Sequence, residues 1–356
     1  MKITTIIGAR PQFIKAAMVS RAISQSGIKE DIIHTGQHFD KNMSEIFFEE
    51  MGIKKPSINL GIGGGTHGKN TGRMIEAIEK VLLDQKADCV LVYGDTDSTL
   101  AGSLAASKLH IPVAHVESGL RSFNRKMPEE INRVLTDHIS NILFIPTKNA
   151  ELNLKSEGIK EESIYFVGDV MYDAALYFGE VAKKESSILD RLDVNANEYS
   201  LVSIHRAENT DDFKRLHSII SGLKHYNKTI IFPMHPRTKK YLKKFELKVP
   251  TNVIEIPPVG FLDMIMLEMN ANLIATDSGG VQKEAFFHKI PCVTLREETE
   301  WVELIDSGWN KLAPPTDSKK ITKILNNSLG NIGKNITPYG NGNASELIAN
   351  ALKKIL

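Results

Sequence analysis

Short apolar runs rich in β-branched residues alternate with longer amphipathic stretches along this chain, and few folds accept that pattern. The runs at 2–7, 30–34, 87–93, 112–116 and 142–145 read as buried strands. Helical patterns at 11–26, 43–51, 71–85, 99–109 and 128–141 lie between them. Such a β-α-β-α order implies a parallel sheet with helices on both faces. A second series begins after Asp173, with strands expected at 199–204, 229–233, 253–256, 273–276 and 292–295. Its helices are expected at 213–225, 261–270 and 281–288. The fold class is therefore α/β, with two Rossmann-like doubly wound domains and one cleft between them. The expected division is 1–172, rejoined by a C-terminal helix at 343–356, and 173–342. The mostly polar stretch 181–198 reads as part of the boundary.

Composition removes several other classes. Among 356 residues, 44 are Lys or Arg and 43 are Asp or Glu, so the formal net charge is +1. A chain that binds nucleic acid through phosphates is usually clearly basic, so no nucleic-acid partner is expected. The two cysteines, Cys89 and Cys292, have no C-x-x-C partner, which argues against a disulfide framework or a cysteine zinc site. The N-terminal apolar run is too short for a signal peptide. No stretch approaches the roughly 18 apolar residues that span a bilayer. A cytoplasmic protein without membrane insertion is expected.

The polar clusters gather where the strands end. The first half carries Gly8-Ala9-Arg10-Pro11, Gly36-Gln37-His38, Gly94-Asp95-Thr96-Asp97 and Glu117-Ser118-Gly119-Leu120-Arg121. The second half carries His205-Arg206-Ala207-Glu208-Asn209, His235-Pro236-Arg237 and Asp277-Ser278-Gly279-Gly280. Ligands of open parallel sheets bind beyond the carboxyl ends of the strands. A loop Asp or Gly by itself is more often a cap or a turn. The repetition of these clusters makes the argument.

Gly279 and Gly280 open a helix, whose N-terminal N–H groups suit an anion. Glu284 lies one turn further and suits ribose hydroxyls. Arg10 and Lys15 bracket the first helix start and suit a diphosphate or a carboxylate. Asp95, Glu117, Glu129 and Glu130 form the candidate acid/base set, with Arg133 one turn from the last two. His205 and His235 add imidazoles from the second half. His34 and His38 straddle a strand end, so they lack the shared helix face of a zinc pair. No G-x-G-x-x-G follows the first strand and no G-x-x-x-x-G-K-[ST] occurs, which disfavours an NAD enzyme and a P-loop NTPase.

Taken together, these motifs resemble the non-hydrolysing UDP-N-acetylglucosamine 2-epimerases. The matches are Gly-x-Arg-Pro with Lys15, Gly-Asp-Thr at 94–96, His-Val-Glu-x-Gly-Leu-Arg at 115–121 and Pro-Glu-Glu-x-Asn-Arg at 128–133. They continue with His-Arg-x-Glu-Asn at 205–209, Met-His-Pro at 234–236 and Asp-Ser-Gly-Gly-x-Gln-x-Glu at 277–284. The resemblance implies a GT-B-like fold, a homodimer, and inversion at C2 by UDP elimination to a glycal and re-addition. It implies no cofactor and no metal. By the same match, Asp95, Glu117, Glu129 and His205 are the expected catalytic groups. Arg10, Lys15, Arg133, His235, Ser278, Gly279, Gly280 and Glu284 are the expected contacts to UDP and sugar.

The departures bear on the sugar. Commoner members read Thr-Glu-Arg-Pro-Glu where this chain has Thr299-Glu300-Trp301-Val302-Glu303, and Thr-Arg-Pro-Glu where it has Ala9-Arg10-Pro11-Gln12. Gln37-His38-Phe39-Asp40 lacks the second Gln found in members that bind an allosteric activator. These variants resemble the branch acting on UDP-2,3-diacetamido-2,3-dideoxy-glucuronate, for cell-surface polysaccharide or lipopolysaccharide. Arg73, Arg125 and Lys126 are then candidates for the sugar carboxylate. UDP-N-acetylglucosamine is the alternative substrate. More distant readings are a GT-B glycosyltransferase and a non-catalytic sugar-nucleotide sensor.

Overall fold

The computed structural model describes residues 1–37, 52 and 54–355, except the side chain of Arg10. The helix expected at 43–51, His38 and Asp40 lie outside the described residues. The chain forms two compact units, one of Met1–Ala174 with Thr337–Leu356 and one of Ala175–Ile336.

The first unit holds a parallel seven-stranded sheet. Its strands are β1 (Lys2–Ile7), β2 (Lys29–His34), β3 (Ile58–Asn59), β4 (Cys89–Tyr93), β5 (Val113–Val116), β6 (Ile142–Ile145) and β7 (Ile164–Phe166), in the order β3-β2-β1-β4-β5-β6-β7. Chain order runs outward from the centre in both directions, so β1 and β4 flank the topological switch point. β4, β5 and β6 are buried along their whole length because both faces are covered. Val90 and Val92 of β4 join Ile6 and Ile33 against Met74, Ile78 and Leu82 of the helix His67–Gln85. Cys89, Leu91 and Tyr93 alternate with them and are equally buried. Burial pushes the Cys89 thiol up to about 12, so it behaves as a core residue.

The second unit repeats this plan with six parallel strands. They are β8 (Tyr199–Ser203), β9 (Thr229–Pro233), β10 (Val253–Ile256), β11 (Leu273–Thr276), β12 (Cys292–Thr294) and β13 (Asn310–Leu312), ordered β10-β9-β8-β11-β12-β13. Val202, Ile230, Phe232 and Leu273 face the helices Phe213–Lys224 and Ser318–Ser328. Tyr199, Leu201, Ile231 and Ile274 face the other layer, with Leu267 and Ala285. The switch point lies between β8 and β11.

Several boundaries differ from the sequence expectation. The helix expected from 71 begins at His67, within the glycine-rich run. The stretch 181–198 is largely helical, with helices Val170–Glu185 and Ile188–Leu192. Lys183, Lys184 and Glu185 mask the first of these, whose Ala174, Ala175, Phe178 and Ala182 are buried at helical spacing. The short strands β3, β7 and β13 have no periodicity long enough to read. The last helix, Ala344–Ile355, returns to the first unit, where Asp173 accepts its first N–H groups from Ala344 at 3.0 Å and Ser345 at 2.7 Å. Among the described residues, no helix is long and apolar enough to cross a membrane.

Candidate active site

In the first unit the switch point is stapled by a residue that sequence reasoning treated only as a departure. The Gln12 carbonyl accepts from the N–H groups of Gly8 at 2.8 Å and Ala9 at 3.0 Å. Its amide donates to the Tyr93 carbonyl and to Thr99 Oγ1, both at 2.9 Å. A carboxylate here has no N–H to donate, so Gln, unlike Glu, ties the β1 loop to the end of β4.

The β4 loop opens on Gly94, at φ +64°, a left-handed conformation in which a Cβ is strained. A Cβ there would sit 3.5 Å from Lys15 Nζ and 3.8 Å from Glu117 Oε1. Lys15 and Glu117 form an ion pair at 2.7 Å, largely removed from solvent. Glu117 itself has φ +71°, a conformation that side chains pay for and that tends to persist at functional positions. Asp95 follows Gly94 and is paired with the Arg133 guanidinium. Asn132 donates to the Asp95 carbonyl at 3.0 Å and to Asp97 Oδ1 at 3.1 Å. Asp97 in turn holds the exposed His67 at 2.9 Å. The register of β4 on β5, with Tyr93 opposite Val116, puts the Asp95 and Glu117 loops side by side. Asp95, Glu117, Lys15 and Arg133 thus gather at one sheet end.

The acidic pair on the helix Pro128–Ile139 divides its labour. Glu130 is buried and accepts from Ser122 N and Oγ, both at 3.0 Å, from Phe123 N at 2.8 Å and from Arg133 at 2.9 Å. Those bonds occupy it as an anchor for the 122–123 loop. Glu129 is exposed in the first helical turn. Arg73, Arg125 and Lys126 are likewise exposed.

The second unit builds its own switch point around Asp277. This fully buried carboxylate accepts from His205 N at 3.0 Å, Arg206 N at 3.1 Å and Asn209 Nδ2 at 3.1 Å. It thereby fixes the loop after β8. The His205 ring lies 3.5 Å from Asp277 and 5.7 Å, centre to centre, from the ring of His235. His235 also caps the helix Pro236–Lys244 by accepting the Arg237 N–H at 3.1 Å. Ser278, Gly279 and Gly280 lead into the helix Gly279–Phe287, a ready seat for an anion.

Beside that seat stands a charged group that sequence analysis did not single out. Arg296 binds Glu300 at 2.9 Å. Burial works against the charge of Glu300, yet Arg296 and Arg206 hold its carboxyl below the ordinary range. Glu300 Oε1 comes so close that a Cβ on Gly279 would lie 2.4 Å from it, which explains the glycine. Trp301 donates its indole N–H to the Gly279 carbonyl at 2.9 Å, and Lys283 Nζ lies 4.2 Å from the centre of the Trp301 ring. Trp301 is thus built into the packing of this loop. Among the described residues, no group of three or more His, Cys, Asp or Glu is placed to hold a metal ion.

Comparison with known proteins identifies one family. The family model described as UDP-N-acetylglucosamine 2-epimerase matches residues 21–353. A UDP-N-acetylglucosamine 2-epimerase homolog of Methanococcus maripaludis is 54% identical over the full length of both chains. The UDP-2,3-diacetamido-2,3-dideoxy-D-glucuronate 2-epimerase of Pseudomonas aeruginosa is 52% identical, again over 100% of both. The crystal structure of Methanocaldococcus jannaschii UDP-GlcNAc 2-epimerase in complex with UDP-GlcNAc and UDP superposes with a TM-score of 0.92, at 48% identity, covering 99% of this chain and 100% of that one.

Proposed function

The chain belongs to the UDP-N-acetylglucosamine 2-epimerase family, a family of isomerases, and from that premise we propose that it inverts C2 of UDP-2,3-diacetamido-2,3-dideoxy-glucuronate. The observation that carries the chemistry is the pairing of two candidate carboxylates with two cations at one sheet end, Asp95 with Arg133 and Glu117 with Lys15.

In the proposed reaction a carboxylate takes the C2 proton while the C1–O bond breaks and its electron pair leaves with UDP. The glycal left behind has a C1=C2 double bond. UDP then adds back to C1 as a second acid delivers a proton to the opposite face of C2. The C2 proton is weakly acidic, so departure of UDP must be assisted by cationic and N–H donors. Ser278, Gly279, Gly280 and His235 would supply those donors, with Glu284 on the ribose hydroxyls. Arg10, Lys15 and Arg133 are proposed on the anionic groups of the substrate. Asp95, Glu117, Glu129 and His205 would handle protons.

Incubation with the nucleotide sugar alone in deuterated water tests this reading. The expected product is the C2 epimer carrying deuterium at C2. A requirement for an acceptor would instead indicate a glycosyltransferase. Arg73, Arg125 and Lys126 are proposed as partners of the sugar carboxylate. Their Ala variants should lose activity on the uronate and keep it on UDP-N-acetylglucosamine; equal losses would remove them. UDP-N-acetylglucosamine itself is the second reading, favoured by the 48% identity to the Methanocaldococcus jannaschii enzyme bound to that sugar. Parallel kcat/KM values on the two sugars separate them. We also propose a cytoplasmic homodimer serving cell-surface polysaccharide or lipopolysaccharide synthesis. Ile131 and Leu135, 47% and 45% exposed and one turn apart, offer an apolar stripe to a second copy, and light scattering of the purified protein tests the dimer.

A further inference from the structure

We propose that His115 and Asp137, neither of which reaches the surface, act as a positioning pair that holds the Asp95 and Glu117 loops in one fixed relation. Both side chains are 0% exposed. The inference rests on the reading of Asp95 and Glu117 as proton-handling groups.

The pair touches both loops. His115, inside β5, places Nε2 at 2.7 Å from the Gly94 carbonyl, immediately before Asp95. The Gly94 N–H donates to the Val116 carbonyl at 3.0 Å. The left-handed residue that aims Asp95 is therefore pinned through both of its backbone polar groups. On the other side His115 Nδ1 lies 2.7 Å from Asp137 Oδ1. Asp137 Oδ2 accepts the Gly119 N–H at 3.0 Å and an Arg121 N–H at 2.7 Å. Gly119 lies two residues beyond Glu117, so the same carboxylate secures the second loop.

Both ring nitrogens of His115 face acceptors. A carbonyl cannot donate, and Asp137 already accepts two N–H donors on its other oxygen. Burial works against the Asp137 charge, but His115 and Arg121 hold its carboxyl below the ordinary range. The two ring nitrogens thus engage one loop each, Nε2 the Gly94 carbonyl and Nδ1 the carboxylate that secures Gly119. Arg121 closes the outer side by pairing with Glu157 at 2.7 Å, and Glu157 also meets His138 at 3.1 Å.

Nitrogen-15 NMR of the intact protein at pH 7.5 reads the ring directly. A His115 signal with both nitrogens hydrogen-bonded, assigned by its loss in His115→Gln, is expected; a ring nitrogen without a hydrogen bond overturns the arrangement. Kinetics read the role. Asp137→Asn should lower kcat by roughly 10- to 100-fold, because small displacements of reacting groups are costly, while KM and the Kd for UDP stay within about twofold. His115→Gln keeps one N–H for the Gly94 carbonyl and should retain more kcat than His115→Ala. If the wild type incorporates deuterium at C2 and a folded Asp137→Asn variant keeps its kcat within about twofold, the positioning role falls alone. If the wild type incorporates none with either UDP-sugar, the epimerase reading falls with it. The NMR measurement needs no variant to fold except for the assignment, which His115→Ala also supplies.

Discussion

At the residue scale, ionisable groups in this chain serve opposite ends. Lys15 pairs with Glu117 within the candidate site at 2.7 Å, so Lys15→Met removes that positive charge from beside a carboxylate with little access to water. The expected result is a kcat reduced by two or more orders of magnitude in a protein that still folds, measured by single-sugar epimerisation and circular dichroism. Glu268 is different. It is 1% exposed, and neither carboxylate oxygen has a hydrogen-bond partner among the described residues. Burial, reinforced by the charge of Glu284, raises its pKa well above the ordinary value. The folded state keeps Glu268 protonated while the unfolded chain ionises it, so its contribution to stability is lost as pH rises above the unfolded value. Glu268→Gln should therefore stabilise the protein more at pH 8 than at pH 5 in urea titrations.

His288 gives the converse case. Burial lowers its pKa to about 4, against an ordinary 6.5, and the nearby Lys183 charge adds to this. The unfolded chain binds a proton through that window and the folded state does not. Stability should then fall by on the order of 3 kcal/mol between pH 6.5 and pH 4 on this group's account. His288→Gln should flatten the curve in that interval, and an unchanged slope in urea midpoints would exclude the assignment.

At the element scale, the helix Gly279–Phe287 shows how a strand–turn–helix junction becomes a site. Its first residue lacks a side chain because Glu300 packs into that space, held by Arg296. Gly279→Ala pushes against Glu300 Oε1 and disturbs the carboxylate–guanidinium group beside the N–H donors. The expected outcome is at least a tenfold weaker Kd for UDP, about 1.4 kcal/mol, by calorimetric titration, with secondary structure intact. Several strands were readable in full: the ranges expected for β1, β6, β9, β10 and β11 agree with the structure residue for residue. The departures fall where apolar periodicity is short, as in the two-residue β3, or covered by charge, as in Val170–Glu185.

At the scale of the whole molecule, the first unit is closed by the far end of the chain. Ile348 and Leu352 of the terminal helix are fully buried, and Asp173 caps its start. Removing residues 343–356 should cost on the order of 3–6 kcal/mol from those two side chains alone, and a deleted capped helix adds to that. A lower calorimetric transition and loss of epimerisation are expected; an unchanged transition would show that this helix is dispensable.

The sequence by itself determined the α/β class, the repeated parallel plan and the strand ends that carry His, Asp, Glu and Gly, because hydrophobic period and turn residues are local properties. It also pointed to Asp95, Glu117, Lys15 and Arg133 as separate candidates. Only the tertiary structure decided that Lys15 pairs with Glu117 and Arg133 with Asp95, that Glu130 is an anchor, and that Gln12, His115 and Asp137 lash the loops together. Those contacts join residues from different strands and helices, and strand order in space, which brings β1 beside β4, is not written in the order of the chain.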